Sequence, residues 1–128
     1  MLHVPFSVWC ILAAGVLPIL AAAPAKFSRD FSNAYPRDPA FWASGFRARA
    51  AAAQANGFEA FPLFAISVIV GLGQGGDPAW IDRLAGLFIG LRVIYIVCYW
   101  TNRPSHRSLV WALAFLTTLA IFSSPVWS

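Results

Sequence analysis

The stretch RARAAAAQANGFEAFPLFAISVIV, Arg47 to Val70, decides how this chain is read. Its second half is apolar, and the stretch is long enough to cross a bilayer only if its Ala-rich start is also helical. Its first half carries Arg49, then Asn56 seven residues on, then Glu59 one turn further. At helical spacing these three polar groups share a face, and small alanines between them let another helix approach. A carboxylate and an amide inside a lipid-exposed helix are costly unless something meets them. The stretch therefore predicts a membrane helix that turns a polar face towards other helices.

The rest of the chain supports that reading. Of 128 residues, 59% are hydrophobic and 11% are charged, well below the roughly 25% charge of soluble domains. A chain this short cannot bury so much apolar surface as a soluble fold. Four apolar segments are expected to span: Val4–Ala23, Phe46–Leu72, Leu84–Trp100 and Leu109–Trp127. Each is near the ~20 residues a spanning helix needs. The expectation is one all-α domain over residues 1–128, a four-transmembrane-helix bundle. A removable leader is the rival reading of the first segment, because LAAAPA offers small residues for cleavage, but MLH supplies no Lys or Arg before it. Pro18 is expected to kink that helix.

Charge placement sets the topology. Lys26, Arg29, Arg37, Arg47 and Arg49 fall in or beside the first connector, Arg103 and Arg107 in or beside the third, and Arg83 alone on the opposite side. The positive-inside rule puts connectors one and three in the cytoplasm and both termini outside. The net charge of +4 thus reflects membrane orientation, and no nucleic-acid partner is expected, since the basic residues are not interleaved with an aromatic platform. Cys10 and Cys98 lie in apolar runs without a CxxC pair and read as reduced packing residues. Two histidines, far apart, suggest no zinc site. GLGQGGD spaces Gly71, Gly73 and Gly76 as G-x-G-x-x-G, but it follows an apolar helix rather than a strand, so a flexible turn is expected.

The third and fourth segments add polar groups. Arg92, Tyr95, Tyr99 and Arg103 recur at i, i+3, i+7 and i+11 and form one stripe. In TNRPSHRSL, Ser105 is a plausible N-cap for the fourth helix and places Arg107 and Ser108 near its positive N-terminal end. Two readings of the polar set follow. Glu59 and Arg92 could simply neutralise each other and fix helix register. Alternatively the stripes line a cytoplasm-facing cavity for a small polar molecule with negative groups, next to lipid.

At these residues the sequence resembles the MAPEG family, the membrane-associated proteins of eicosanoid and glutathione metabolism, in particular its short bacterial members. RARAAAAQANGFEAFPLF is similar to the family's helix-two signature at Asn56, Glu59 and Pro62. RVIYIVCYWTNRPSHRSLVW is similar to its helix-three end and helix-four start at Arg92, Tyr99, Arg107 and Ser108, and NAYPR, Asn33 to Arg37, looks like the bacterial branch. The resemblance implies a homotrimer with glutathione bound between neighbouring subunits. Arg49, Asn56, Glu59, Arg92, Tyr95 and Tyr99 are the expected glutathione-binding residues. Arg107 and Ser108 would face the thiol as catalytic residues. The implied activity is transfer of the thiol to lipophilic electrophiles, or reduction of lipid hydroperoxides, with substrate arriving from the bilayer. The sequence departs from the family where Ala52 and Ala55 stand in place of arginines, with Gln54 where a His is common. Arg47 and Arg49 could compensate only by reaching from the preceding turn. A non-catalytic membrane protein that retains the fold is the alternative, and a small transporter using Glu59 and Arg92 as a relay is a third.

Overall fold

The computed structural model describes residues 3–128. The order is α1 (Phe6–Ala22), a 3₁₀ turn (Ala23–Phe27), α2 (Gly45–Gly73), α3 (Pro78–Trp100), α4 (Pro104–Phe122) and a short α5 (Ser124–Trp127). No strand occurs among the described residues. The long helices pack as a bundle. At ~1.5 Å per residue, α2 runs about 43 Å, longer than the ~30 Å hydrocarbon layer, so some of its turns project beyond the lipid tails. Three segments are long and apolar enough to cross a membrane: Phe6–Phe27, Gly45–Gly73 and Pro104–Phe122. The fourth expected span, α3, is not among them; it carries Asp82, Arg83 and Arg92 along its length.

Small residues set the helix spacing. Buried Cys10, Ala14, Pro18 and Ala21 recur along one face of α1. Ala50, Ala53, Phe64, Val68 and Gly71 recur along one face of α2. Between α1 and α2 the register is fixed where Gly57 meets Pro18 and Gly15 meets the Phe61 ring. A Cβ on Gly57 would lie 2.7 Å from Pro18 Cγ, so only glycine allows this approach. Pro18 does not end α1, which stays helical to Ala22. Phe64 and Phe88 stack at 4.0 Å where α2 crosses α3.

Two corners depart from expectation. The Gly71–Gly76 connector is a closed helix stop rather than a flexible turn. Gly75 takes φ +94°, Gly76 N–H donates to the Gly71 carbonyl at 2.8 Å, and a Cβ on Gly76 would strike the Ser124 hydroxyl. Asp77 then caps α3 by accepting from Ala79 N–H, with Pro78 at the first position, so α3 starts six residues before the apolar run does. The second corner repeats the stop with Asn102 at φ 56°. Arg103 N–H donates to the Cys98 carbonyl at 2.8 Å and Asn102 N–H to the Tyr99 carbonyl at 3.2 Å. Pro104 begins α4 directly, so Arg103, not Ser105, is the N-cap residue. Proline's preset φ and missing N–H make it the natural first residue.

The first connector folds as a strap over one end of the bundle. Arg47 pairs with Asp30, donates to the Ser28 hydroxyl at 3.1 Å and stacks on Phe41 at 4.1 Å. The Arg47 hydrogen bond, with a second from Ser28, holds the Asp30 carboxyl below the ordinary carboxylate value. A depressed pKa stabilises the strap above the unfolded-state value of about 3.9 and loses that contribution as pH falls through the folded value. Amide protection over residues 28–41 is therefore expected to hold from neutral pH to about pH 4 and drop below it. Pulsed hydrogen exchange, corrected for the intrinsic exchange rate, would measure this, and Asp30→Asn should lessen the pH dependence.

Candidate functional site

On α3, Arg92, Tyr95 and Tyr99 fall at i, i+3 and i+7 and so stack along one face. The Arg92 guanidinium lies 4.2 Å from the Tyr95 ring centre. Tyr95 meets Tyr99 edge-on at 5.3 Å. Arg107, arriving from the first turn of α4, lies 4.5 Å from the Tyr99 ring centre. The result is a ladder, Arg92–Tyr95–Tyr99–Arg107, with a cation at each end. The expected fourth member, Arg103, falls beyond the end of α3 and is exposed. The tight corner brings Arg107 over the last ring instead.

Two clefts flank the ladder. The first, about 170 Å³, is lined by Asn56, Glu59, Arg92, Phe88, Trp111 and Thr118, among others. The second, about 210 Å³, is lined by Tyr95, Tyr99, Arg107, Ser108 and Trp111. Trp111 lines both. Of the eight residues expected at the site, three meet in the first cleft and four in the second.

Arg49, the eighth, lines neither cleft. Its Nε donates to the Tyr99 main-chain carbonyl at 3.0 Å. Arg47 is held by the strap. Neither arginine therefore replaces the cations missing at Ala52 and Ala55.

The polar groups of the first cleft do not satisfy one another. Arg47–Asp30 is the only ion pair among the described residues, so Glu59 and Arg92 do not neutralise each other. Arg92 is 4% exposed, yet its Nη2 has no hydrogen-bond partner, and neither does the buried Asn56 Oδ1. An unpaired buried donor and acceptor each cost roughly 1–3 kcal/mol. The cleft thus offers one free cationic donor, one free amide acceptor and the exposed Glu59 carboxylate. Such a set fits a small molecule with both anionic and N–H groups.

Trp111 and Thr118 were not foreseen as lining residues. The signal was present for Trp111, which follows Arg107 by four residues and so shares its face of α4. Thr118 spends its hydroxyl on the Ala114 carbonyl and contributes shape rather than a donor. No cluster of three or more metal-ligating side chains occurs among the described residues. Cys10 and Cys98 are free and buried.

A family model described as the MAPEG family matches residues 6–127, nearly the whole chain. No curated protein and no solved structure matches.

Proposed function

We propose a function from one premise: this chain belongs to the MAPEG family. It is an integral membrane protein of a glutathione-associated family. Within that frame we read it as a glutathione-dependent transferase or peroxidase acting on lipophilic substrates. The observation that carries the reading is the pair of clefts joined at Trp111, one holding Arg107 and Ser108, the other Asn56, Glu59 and Arg92.

Bound across them, glutathione would supply a nucleophilic sulfur, which bonds to an electrophilic carbon as the leaving group departs with the bonding pair. Everything else falls to the chain. Arg107 favours the thiolate over the thiol, whose free pKa is about 8.5. The Ser108 hydroxyl donates towards the same sulfur. Arg92 receives a carboxylate, Asn56 Oδ1 accepts an N–H, and Glu59 faces the ammonium group. Tyr95 and Tyr99 hold the two guanidiniums in line.

We read α3 as a fourth span, because Arg92 is turned onto protein rather than lipid. In that topology the strap and the α3–α4 corner lie together on the cytoplasmic side. We further read the assembly as a homotrimer. Support comes from a groove on a different face of α2, about 760 Å³, which carries Lys26, Arg37 and Gln54. A neighbour seated on that groove would meet these cations beside Ala55, one of the two positions where α2 lacks an arginine.

A second reading, a membrane protein that keeps the fold without the chemistry, is favoured by the engagement of Arg47 and Arg49 elsewhere. Glutathione separates the two. At a hundred times its dissociation constant it adds about 2.7 kcal/mol to stability, a rise of several degrees in melting temperature. That rise is the expected result; an unchanged melt up to the highest soluble concentration would establish the second reading.

A further inference from the structure

The corner between α3 and α4 is held from beneath at two consecutive residues. Arg49 Nε donates to the Tyr99 carbonyl at 3.0 Å, and the Trp100 indole donates to the Ala21 carbonyl at 2.9 Å. The Tyr99 carbonyl already accepts from Asn102 N–H in the helix stop. A guanidinium at the C-terminal end of a helix is favoured by the unpaired carbonyls there and by the helix dipole, and a charge-assisted bond is stronger than a neutral one. Arg49 thus adds one charge-assisted bond to the residue whose ring carries Arg107. Only the three residues Thr101–Arg103 separate α3 from α4, and Arg107 N–H bonds back to the Arg103 carbonyl. A shift at Tyr99 therefore passes through a stiff corner to the Arg107 guanidinium.

We propose that Arg49 is a positioning residue: from α2, through the Tyr99 carbonyl, it sets the Tyr99–Arg107 stack in the second cleft and never touches the ligand. This rests on the reading of Arg107 as the thiol-facing cation only for its consequence in chemistry, not for the geometry. The same turn of α2 provides a control. Arg47, two residues earlier, clasps the strap, its hydrogen bonds going to Ser28 and Asp30.

The test uses the full-length protein with 3-fluorotyrosine in place of tyrosine, the Tyr99 resonance being assigned by its loss in Tyr99→Phe. Arg107→Gln will move that resonance by removing the cation from the ring face. Arg49→Gln is expected to move it towards the Arg107→Gln position, Arg49→Lys to restore part of the shift, and Arg47→Gln to leave it in place. A wild-type position in Arg49→Gln would overturn the proposal. If Arg49→Gln does not fold, Arg49→Lys decides alone: a wild-type resonance there, with an unchanged melt, shows that the guanidinium is not needed and overturns the proposal.

A second measurement reads the consequence. With glutathione added, the pH midpoint for thiolate formation is expected to rise by about one unit in Arg49→Gln, a tenfold loss of thiolate below it. A lower melting temperature with an unmoved midpoint is what a merely structural role would give, and it would count against the proposal. If wild-type protein forms no thiolate with glutathione, the functional reading fails, while the fluorine resonance still judges the positioning role.

Discussion

Arg107→Ala is expected to lower glutathione-dependent turnover of a lipophilic electrophile by about 10²–10³-fold, the scale set by removing one charged stabiliser from a reacting centre. The melting temperature should move little. Arg107 lies at the rim of its cleft, half-buried, and its structural contact is the face of Tyr99. An exposed cation–aromatic pair is worth about 0.5–1 kcal/mol. Arg107→Lys should recover part of the rate, because a point charge can favour a thiolate without the planar fork. The loss should shrink at high pH, where the thiol ionises unaided. Turnover that survives Arg107→Ala at neutral pH would remove the proposed role for this residue.

Gly57→Ala should do the reverse and act on stability alone. The new Cβ would lie 2.7 Å from Pro18 Cγ and 3.0 Å from Pro18 Cβ. A proline ring can flip its pucker but cannot swing clear as a flexible side chain does, and its Cβ stays at 3.0 Å, so α1 and α2 must part. Overpacking of this kind costs roughly 1–3 kcal/mol, or about 3–10 °C in melting temperature for a chain of this size. Gly57→Leu should cost more. Gly90→Ala is the control: nothing lies within 4 Å of its added Cβ, and alanine is the better helix former. Thermal unfolding in one detergent would compare the three. Equal melts for Gly57→Ala and Gly90→Ala would show that α1 and α2 tolerate separation.

The four long helices were legible because apolar length and small-residue spacing are local properties of the chain. The polar residues on α2 and α3 were legible for the same reason, since a buried charge in an apolar run must be met by something. What the sequence concealed lies at the ends. Pro78 and Pro104 start helices earlier than the apolar runs do, because a first-turn proline, joined at α3 by the Asp77 side-chain cap, outweighs hydropathy. Arg103 appeared to continue the α3 stripe, yet Asn102 takes a left-handed conformation that ends the helix before it. Arg49 shared a face with Asn56 on paper, but a long side chain reaches past its own helix, and its Nε ends on the Tyr99 carbonyl. Spacing tells which way a residue leaves its helix; it does not tell where seven atoms of side chain will end.

One feature of the bundle bears on how it assembles during synthesis. α1 is closed at both ends by α3: Asp82 accepts from the Ser7 main-chain N–H at 2.9 Å, and the Trp100 indole donates to the Ala21 carbonyl. α1 emerges from the ribosome two helices before α3, so until then it has neither terminal partner. Its final docking waits on partners made 75 and 79 residues later, which makes a helix inserted early among the last to be locked.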